Sequence, residues 1–460
     1  MVTTRTQVVT TRTQELIKKD LAHLFHGLGR VGLAPEIIWE RGKGAQLWDT
    51  EGKQYTDMSS GGVHCVSLGF GRKELIDAAY EEMQKISYVS SHWPQSNIQA
   101  IEYAAELAEV LPGDINHVYL TNTGTESVEV AIQIARMYWD THGQVEKYKI
   151  ICLDRAYHGG SALTRSLTGS HVGLPCSGRA YPGVVRIPNY HCHLCSFGLK
   201  YPACDMVCAR FVERVIEQEG AGIISCMIAE VAQGSGGVIW PPDEYWPIVR
   251  RICSDHNILL IADEVQTGFC KTGKFWGLQH WNVIPDIMAM AKGINSSYLP
   301  FGAVGFSDKV YNGLPHGKPF RGYTTCATNP PCVATARAAL KIYIKEKLTE
   351  RAANLGEHLR DRLIKEFLPL PCVDDVLGSG LYYSFEIALN KTTGSAFNLE
   401  AAIKARESIL SQCQEKGVYL TRLDGYPRRQ PIVPPLIITE EELDTALDVI
   451  FSVMKEVKPV

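Results

Sequence analysis

The sequence predicts an α/β fold, in which a large and mostly parallel sheet is covered by helices on both faces and joined to a smaller α+β unit. Between about residues 115 and 330, short β-branched runs alternate with helical stretches. That alternation is the signature of strand–helix–strand connections in a parallel sheet. After Pro330 it gives way to long helical stretches with two further strand candidates. The length of 460 residues exceeds what one compact core usually holds, so two or three structural units are expected.

In chain order, residues 15–30 form a short amphipathic segment ending in His26-Gly27-Leu28-Gly29. Residues 44–58 read as a hairpin, with Asp49-Thr50-Glu51-Gly52-Lys53 as its turn. Residues 73–87 and 97–111 carry helical periodicity. The strand candidates of the large unit are His117–Thr121, Lys149–Leu153, Gly222–Ala229, Ile258–Ala262 and Ile287–Ala291, with helices such as Ser127–Trp139 and Val207–Gln218 between them. Leu381–Ile387 and Gly417–Leu420 are the strands expected in the smaller unit, where they are placed to pack with the N-terminal segment. The division expected is 1–75 as an N-terminal segment serving the small unit and the site, 76–335 as the large unit, and 336–460 as the small one.

Composition excludes several function classes. The net charge is −4 and no basic block appears, whereas nucleic-acid binding needs clustered Lys and Arg. No run of about 18 apolar residues exists to span a membrane. The first twenty residues are polar and lack an apolar signal core, and Glu15 and Asp20 weigh against a transit peptide. Fourteen Cys in so long a chain read as reduced thiols, so a cytoplasmic protein is expected.

Three segments carry chemistry. Thr121-Asn122-Thr123-Gly124-Thr125-Glu126-Ser127 follows a strand and opens a helix. Its free N–H groups, Gly124 and the Thr125 hydroxyl suit a phosphate, although an ordinary helix cap has the same pattern. Ile258–Ala262 runs into Asp263 and Glu264, and an Asp at a strand's carboxyl end can pair with a protonated ring nitrogen or cap the next helix. Asp286–Ala291 runs into Lys292-Gly293. A lysine held against apolar walls has its pKa lowered and becomes a nucleophilic amine, whereas most strand-end lysines are merely solvated.

The order of these signals resembles the class III (ω-) aminotransferases of pyridoxal-phosphate fold type I. The resemblance runs from about residue 30 to 455. Its most specific parts are Ile258–Gly273 (ILLIADEVQTGFCKTG) and Asp286–Gly293 (DIMAMAKG). It implies a mostly parallel seven-stranded sheet and pyridoxal 5'-phosphate as cofactor, bound to Lys292 as a Schiff base. It implies that Asp263 keeps the pyridine nitrogen protonated, that Val265 and Tyr157 pack on the two ring faces with His158 beside them, and that Gly124 and Thr125 hold the phosphate. Glu230 and Gln266 would stand on the side of the phenolic oxygen. The family's Glu-Pro-x-x-Gly is Glu230-Val231-Ala232-Gln233-Gly234 here. A threonine from a partner subunit completes the phosphate site in the family. Thr325 is the best match, although Tyr323 replaces the usual Gly and Thr324 competes. A site built by two chains implies an obligate homodimer, with further pairing into a tetramer left open.

The resemblance also implies an amine donor and pyruvate as substrates. Arg422 is similar to the arginine that receives the keto-acid carboxylate, with Arg428 and Arg429 as sequence neighbours. His64, in Ser59-Ser60-Gly61-Gly62-Val63-His64-Cys65, falls where relatives often carry Trp, and would make the amine pocket smaller and more polar. His26, Trp93 and His92 are further candidates for that pocket. A short ω-amino acid is the expected donor, taurine first and β-alanine or another amine next, giving sulfoacetaldehyde and L-alanine from the taurine reaction. A decarboxylase, racemase or aminomutase would share the cofactor residues but would not need Arg422. A non-catalytic relative would not need Lys292, Asp263 and Gly124-Thr125 together. The spacing Cys192-x2-Cys195-x8-Cys204-x3-Cys208 offers four thiols but is not a standard finger, so no metal is expected.

Overall fold

A computed structural model describes residues 10–27, 32–90, 95–169, 181–320, 322, 324–387, 399–422 and 426–457. Three strands lead the chain: β1 (Trp39–Lys43), β2 (Gln46–Asp49) and β3 (Gln54–Asp57). The β2–β3 turn closes as expected, because Asp49 Oδ1 accepts from the backbone N–H of Glu51 and Lys53 at 3.0 and 2.9 Å. Then come β4 (Ile115–Thr121), β5 (Lys149–Leu153), β6 (Val184–Ile187), β7 (Ile224–Glu230), β8 (Leu259–Asp263), β9 (Ile287–Met290) and β10 (Gly302–Ser307). The last four are β11 (Val373–Ser379), β12 (Tyr382–Ile387), β13 (Val418–Tyr419) and β14 (Arg429–Ile432).

The central sheet has seven strands in the order β4-β10-β9-β8-β7-β5-β6. Every pairing is parallel except those of β10, which runs antiparallel to both β4 and β9. All residues of β7, β8, β9 and β10 are buried, because both faces are covered. Alternate residues feed two different cores. Cys226, Ile228, Leu259, Ile261, Ile287 and Ala289 pack with Val128, Ala131, Ile132 and Ala135 of the helix Gly124–Thr141. Met227, Ala229, Leu260, Ala262, Met288 and Met290 face the opposite core with Tyr103, Val212, Trp246 and Val333. Period-2 strands and period-3.6 helices thus meet on both sides of one sheet.

The second region holds β11-β12-β14, all antiparallel. A four-stranded sheet, β1-β2-β3-β13, joins the two ends of the chain through the parallel pair Val418↔Thr56 and Tyr419↔Asp57. Strands β1, β6, β10, β11 and β14 had no counterpart among the sequence expectations. Among the described residues, no helix is long and apolar enough to cross a membrane.

Candidate active site

The carboxyl ends of β4, β5, β7, β8 and β9 open onto one cavity of about 430 Å³, the place where parallel α/β sheets hold their ligands. Nine of the residues singled out in the sequence line it: Gly124, Thr125, Tyr157, His158, Glu230, Asp263, Val265, Gln266 and Lys292. Asn122 and Thr123, members of the Thr121–Ser127 motif, also line it, as do Asn295, Ser297 and Phe301; no motif marked the last three, which arrive on the loop after β9.

The anion end is the first turn of the helix Gly124–Thr141. Thr123 caps this helix by accepting from Glu126 N at 3.2 Å, and Asn122, Thr123, Gly124 and Thr125 together border the cavity. Gly159 closes against Thr125, since a Cβ there would stand 2.5 Å from Thr125 Oγ1. The cap interaction and the anion cradle therefore coexist in one turn.

Asp263 ends β8, buried, beside Glu230 in the β7–β8 register. His158 donates from Nδ1 to Asp263 Oδ2 at 2.7 Å, and Val265 N donates to Oδ1 at 3.0 Å. Each carboxylate oxygen keeps a lone pair for a further donor. Glu230 accepts from the backbone N–H of Tyr157 at 2.8 Å and of Gly234 at 2.9 Å. Burial raises the Glu230 carboxyl to about 7, and the charge of Asp263 adds to the rise while His158 and the two N–H donors oppose it. The adjacent Glu264 is fully buried and accepts from Gly277 N and Leu278 N at 3.0 and 2.9 Å. It pins a neighbouring turn and does not line the cavity.

Lys292 follows β9 with φ of +47°, a left-handed conformation that costs about 1–3 kcal/mol for a non-glycine residue. It is half-buried, its side chain lying along the cavity wall. Burial holds its amine below the ordinary lysine range, partly offset by Cys65, Glu230 and Asp263. A free amine, an anion cradle, a carboxylate with spare acceptor capacity, and two side chains (Tyr157 and Val265) suited to packing on a flat ring make a donor set that fits pyridoxal phosphate.

Other expected residues stand elsewhere. His64 is buried behind Gln266, donating to Gln266 Oε1 at 2.9 Å, and is not in the cavity wall. His26 is exposed and pairs with Asp20 at 2.9 Å. Arg422 pairs at the surface with Glu36 at 3.3 Å. Arg429 is fully buried between Asp375 and Glu386, at 2.8 and 3.1 Å, and Arg428 also pairs with Glu386 at 3.1 Å, so both are committed to the β12–β14 region. Thr325 is exposed, while Thr324 accepts from Asn122 Nδ2 at 2.7 Å. Trp93, His92 and Tyr323 lie outside the described residues. Cys192, Cys195, Cys204 and Cys208 are free thiols. Among the described residues, the groups whose ligand atoms lie within 4.8 Å of one another are His191–Asp375–Glu386 and His358–Glu440–Asp444. In the first, Arg429 already bridges both carboxylates.

Two further residues of the site region carried no recognised signal. Lys271 is 1% exposed and donates from Nζ to the carbonyl of His64. Tyr382, from β12, donates to Gln266 Oε1 at 3.0 Å. Lys271 lies inside the quoted stretch Ile258–Gly273, whose polar-looking end gives no hint that it is buried.

The family model for aminotransferase class-III matches residues 30–454. The chain is 31% identical to a putrescine–pyruvate aminotransferase of Pseudomonas aeruginosa, with 88% of each chain covered. It is 30% identical to a taurine–pyruvate aminotransferase of Bilophila wadsworthia, with 94% of each covered. Its structure is similar to that of a thermostable (S)-enantioselective ω-transaminase from Thermomicrobium roseum, with a TM-score of 0.91, 34% identity, and coverage of 96% of this chain and 98% of that one. With the seven-stranded sheet and the strand-end cavity, these likenesses establish that the chain belongs to the class III aminotransferases, pyridoxal-phosphate enzymes of fold type I that pass an amino group from an amine donor to a keto acid.

Proposed function

We propose that this enzyme moves the amino group of a short ω-amino compound, taurine first, to pyruvate, yielding sulfoacetaldehyde and L-alanine. The observation that carries the transaminase chemistry is the convergence of Lys292, Asp263, Glu230, Tyr157, Gly124 and Thr125 on one cavity of about 430 Å³. When bound, pyridoxal phosphate supplies the electron sink for the pair left on the substrate carbon. Lys292 would hold the cofactor, and its free amine would carry the proton from the substrate carbon. Asp263, oriented by His158, holds the ring-nitrogen proton. Val265 and Tyr157 would support the ring, Gly124 and Thr125 would bind the phosphate, and Glu230 and Gln266 would stand on the phenolic side.

Pyruvate as acceptor is supported by two relatives that are named pyruvate aminotransferases. Arg422 is the proposed carboxylate receptor, which requires it to leave Glu36. Taurine rests on the Bilophila relative, and β-alanine and putrescine are the competing donors. A homodimer is supported by Thr325, exposed here, and by Tyr80, Met83, Ile98 and Ile101, exposed on the helices Lys73–Lys85 and Ile98–Ala108. The free thiols support a cytoplasmic setting. A donor screen with pyruvate, reading alanine, tests the proposal. Turnover with taurine exceeding that with β-alanine and putrescine is expected, and the reverse order refutes the donor while leaving the class intact.

A further inference from the structure

His64 is buried behind the cavity, and its contacts fix its protonation. Its Nδ1 lies 2.9 Å from Gln266 Oε1, and Tyr382 donates to the same oxygen at 3.0 Å. The buried Tyr382 hydroxyl needs an acceptor, and this is its hydrogen-bond partner among the described residues, so the Gln266 oxygen must point inward. His64 Nε2 is fully buried and has no hydrogen-bond partner among the described residues. An unpartnered buried N–H costs more than an unpartnered lone pair, so the proton sits on Nδ1 and is donated to Gln266. Burial drives the His64 pKa down to about 3, with Lys292 and Lys271 adding to the drop, which keeps the ring neutral. The backbone of His64, at φ +61°, is tied down by Lys271. Gln266 also lies flat on Gly234, where a Cβ would come within 2.1 Å of Oε1.

We propose that His64 is a positioning residue: with Tyr382 it saturates the oxygen of Gln266 and so turns the Gln266 amide N–H2 toward the cavity, as a fixed donor for the bound cofactor. This rests on the cofactor reading of Gln266 given above. A glutamine amide is otherwise free to flip, and either orientation fills the same volume. Two donors converging on one oxygen remove that freedom. The donor is then set before any ligand arrives and needs no reorganisation on binding.

The test has two arms. In the first, selectively 15N-histidine-labelled apo-protein is examined by NMR from pH 5.5 to 8.5, with the His64→Asn variant identifying the signal. The expected signal is a neutral ring carrying its proton on Nδ1 and not titrating. A proton on Nε2, or ordinary titration, overturns the proposal. The second arm measures pyridoxal phosphate retention by dialysis and by visible absorbance. His64→Asn places an amide nitrogen near the position of Nδ1 and should retain cofactor as the parent does. His64→Leu and Tyr382→Phe each remove one donor and should weaken retention about tenfold. If His64→Leu retains cofactor as the parent does, or if His64→Asn is no better than His64→Leu, the proposal fails. Apo-protein melting temperatures separate a merely structural effect, which would lower stability without separating the Asn and Leu variants in retention. If the parent itself takes up no cofactor, the cofactor reading fails, and the tautomer measurement still decides the orientation of Gln266.

Discussion

Replacing Lys271 with Met should stabilise the apo-protein at neutral pH and lose that advantage as pH rises. Lys271 is 1% exposed, and burial lowers its amine from 10.5 to about 7, with Lys292 adding to the drop. Each tenfold in proton affinity is about 1.4 kcal/mol, so a fully protonated Lys271 costs the native state about 5 kcal/mol. The unfolded chain binds this proton more tightly. The cost is therefore full below pH 7, shrinks between pH 7 and 10.5, and vanishes above that. At pH 9 roughly 2 kcal/mol remains. Against this, Lys271→Met strips the donor from the buried carbonyl of His64, a loss of about 1–3 kcal/mol. The variant should thus be more stable than the parent by about 2–4 kcal/mol at pH 7, equal to it near pH 9, and less stable above pH 10. Melting temperatures of parent and variant apo-proteins across pH 6.5 to 10.5 read this directly, because the difference cancels the titrating groups that Lys271 does not touch. A variant less stable than the parent at pH 7, or a pH-independent difference, would refute the reasoning.

Lys292→Ala should keep the fold and lose the yellow colour, with a drop of about 10²–10⁴ in kcat with every donor from the lost proton transfer; a variant that forms alanine from pyruvate at the parent's rate overturns the assignment. Glu230→Gln should flatten the pH dependence of apo-protein stability between about pH 4.5 and 7, since the Glu230 carboxyl is raised to about 7 and stability falls across that window as the unfolded chain releases a proton that the native state keeps; a parent–variant difference constant across pH contradicts this. Arg429→Met removes the cation 2.8 Å from Asp375 and leaves Glu386 with Arg428 alone, and should cost about 1–3 kcal/mol, seen as a fall in melting temperature with cofactor bound. Arg422→Ala should lower kcat/KM for pyruvate about 10- to 100-fold and leave cofactor retention intact; an unchanged KM for pyruvate rules out the clamp.

Most of the central sheet was legible because its buried strands are continuous apolar runs bounded by polar turns. Lys149–Leu153 was read with its observed limits, and Asp263 and Lys292 were readable as polar residues closing such runs. Strand Val184–Ile187 is an edge strand, half-buried and too short to stand out. Gly302–Ser307 opens with Gly, has Gly305 in its middle and lacks alternation, so its strand character comes from the neighbours on both sides. Nine residues expected at the cofactor line one cavity because they sit at or just beyond strand ends. His64, His26 and Arg422 do not line it, because side-chain direction decides them. His64 takes a left-handed backbone and turns inward, and Arg422 finds a carboxylate, Glu36, that lies 386 positions away in the chain. Neither event leaves a local trace.

The reversed strand β10 has a consequence for how this enzyme can be altered. A parallel neighbour would need a crossover helix, carrying the chain away from the cavity after Lys292. Because β10 is antiparallel, the chain instead returns at once, and Asn295, Ser297, Leu299, Pro300 and Phe301 form the wall beside the lysine within ten residues of it. Lys292 and the adjoining wall are thus one short segment between two fixed strands. Substitution at Ser297, Leu299, Pro300 or Phe301 would reshape that side of the cavity while the ends of β7 and β8 stay untouched.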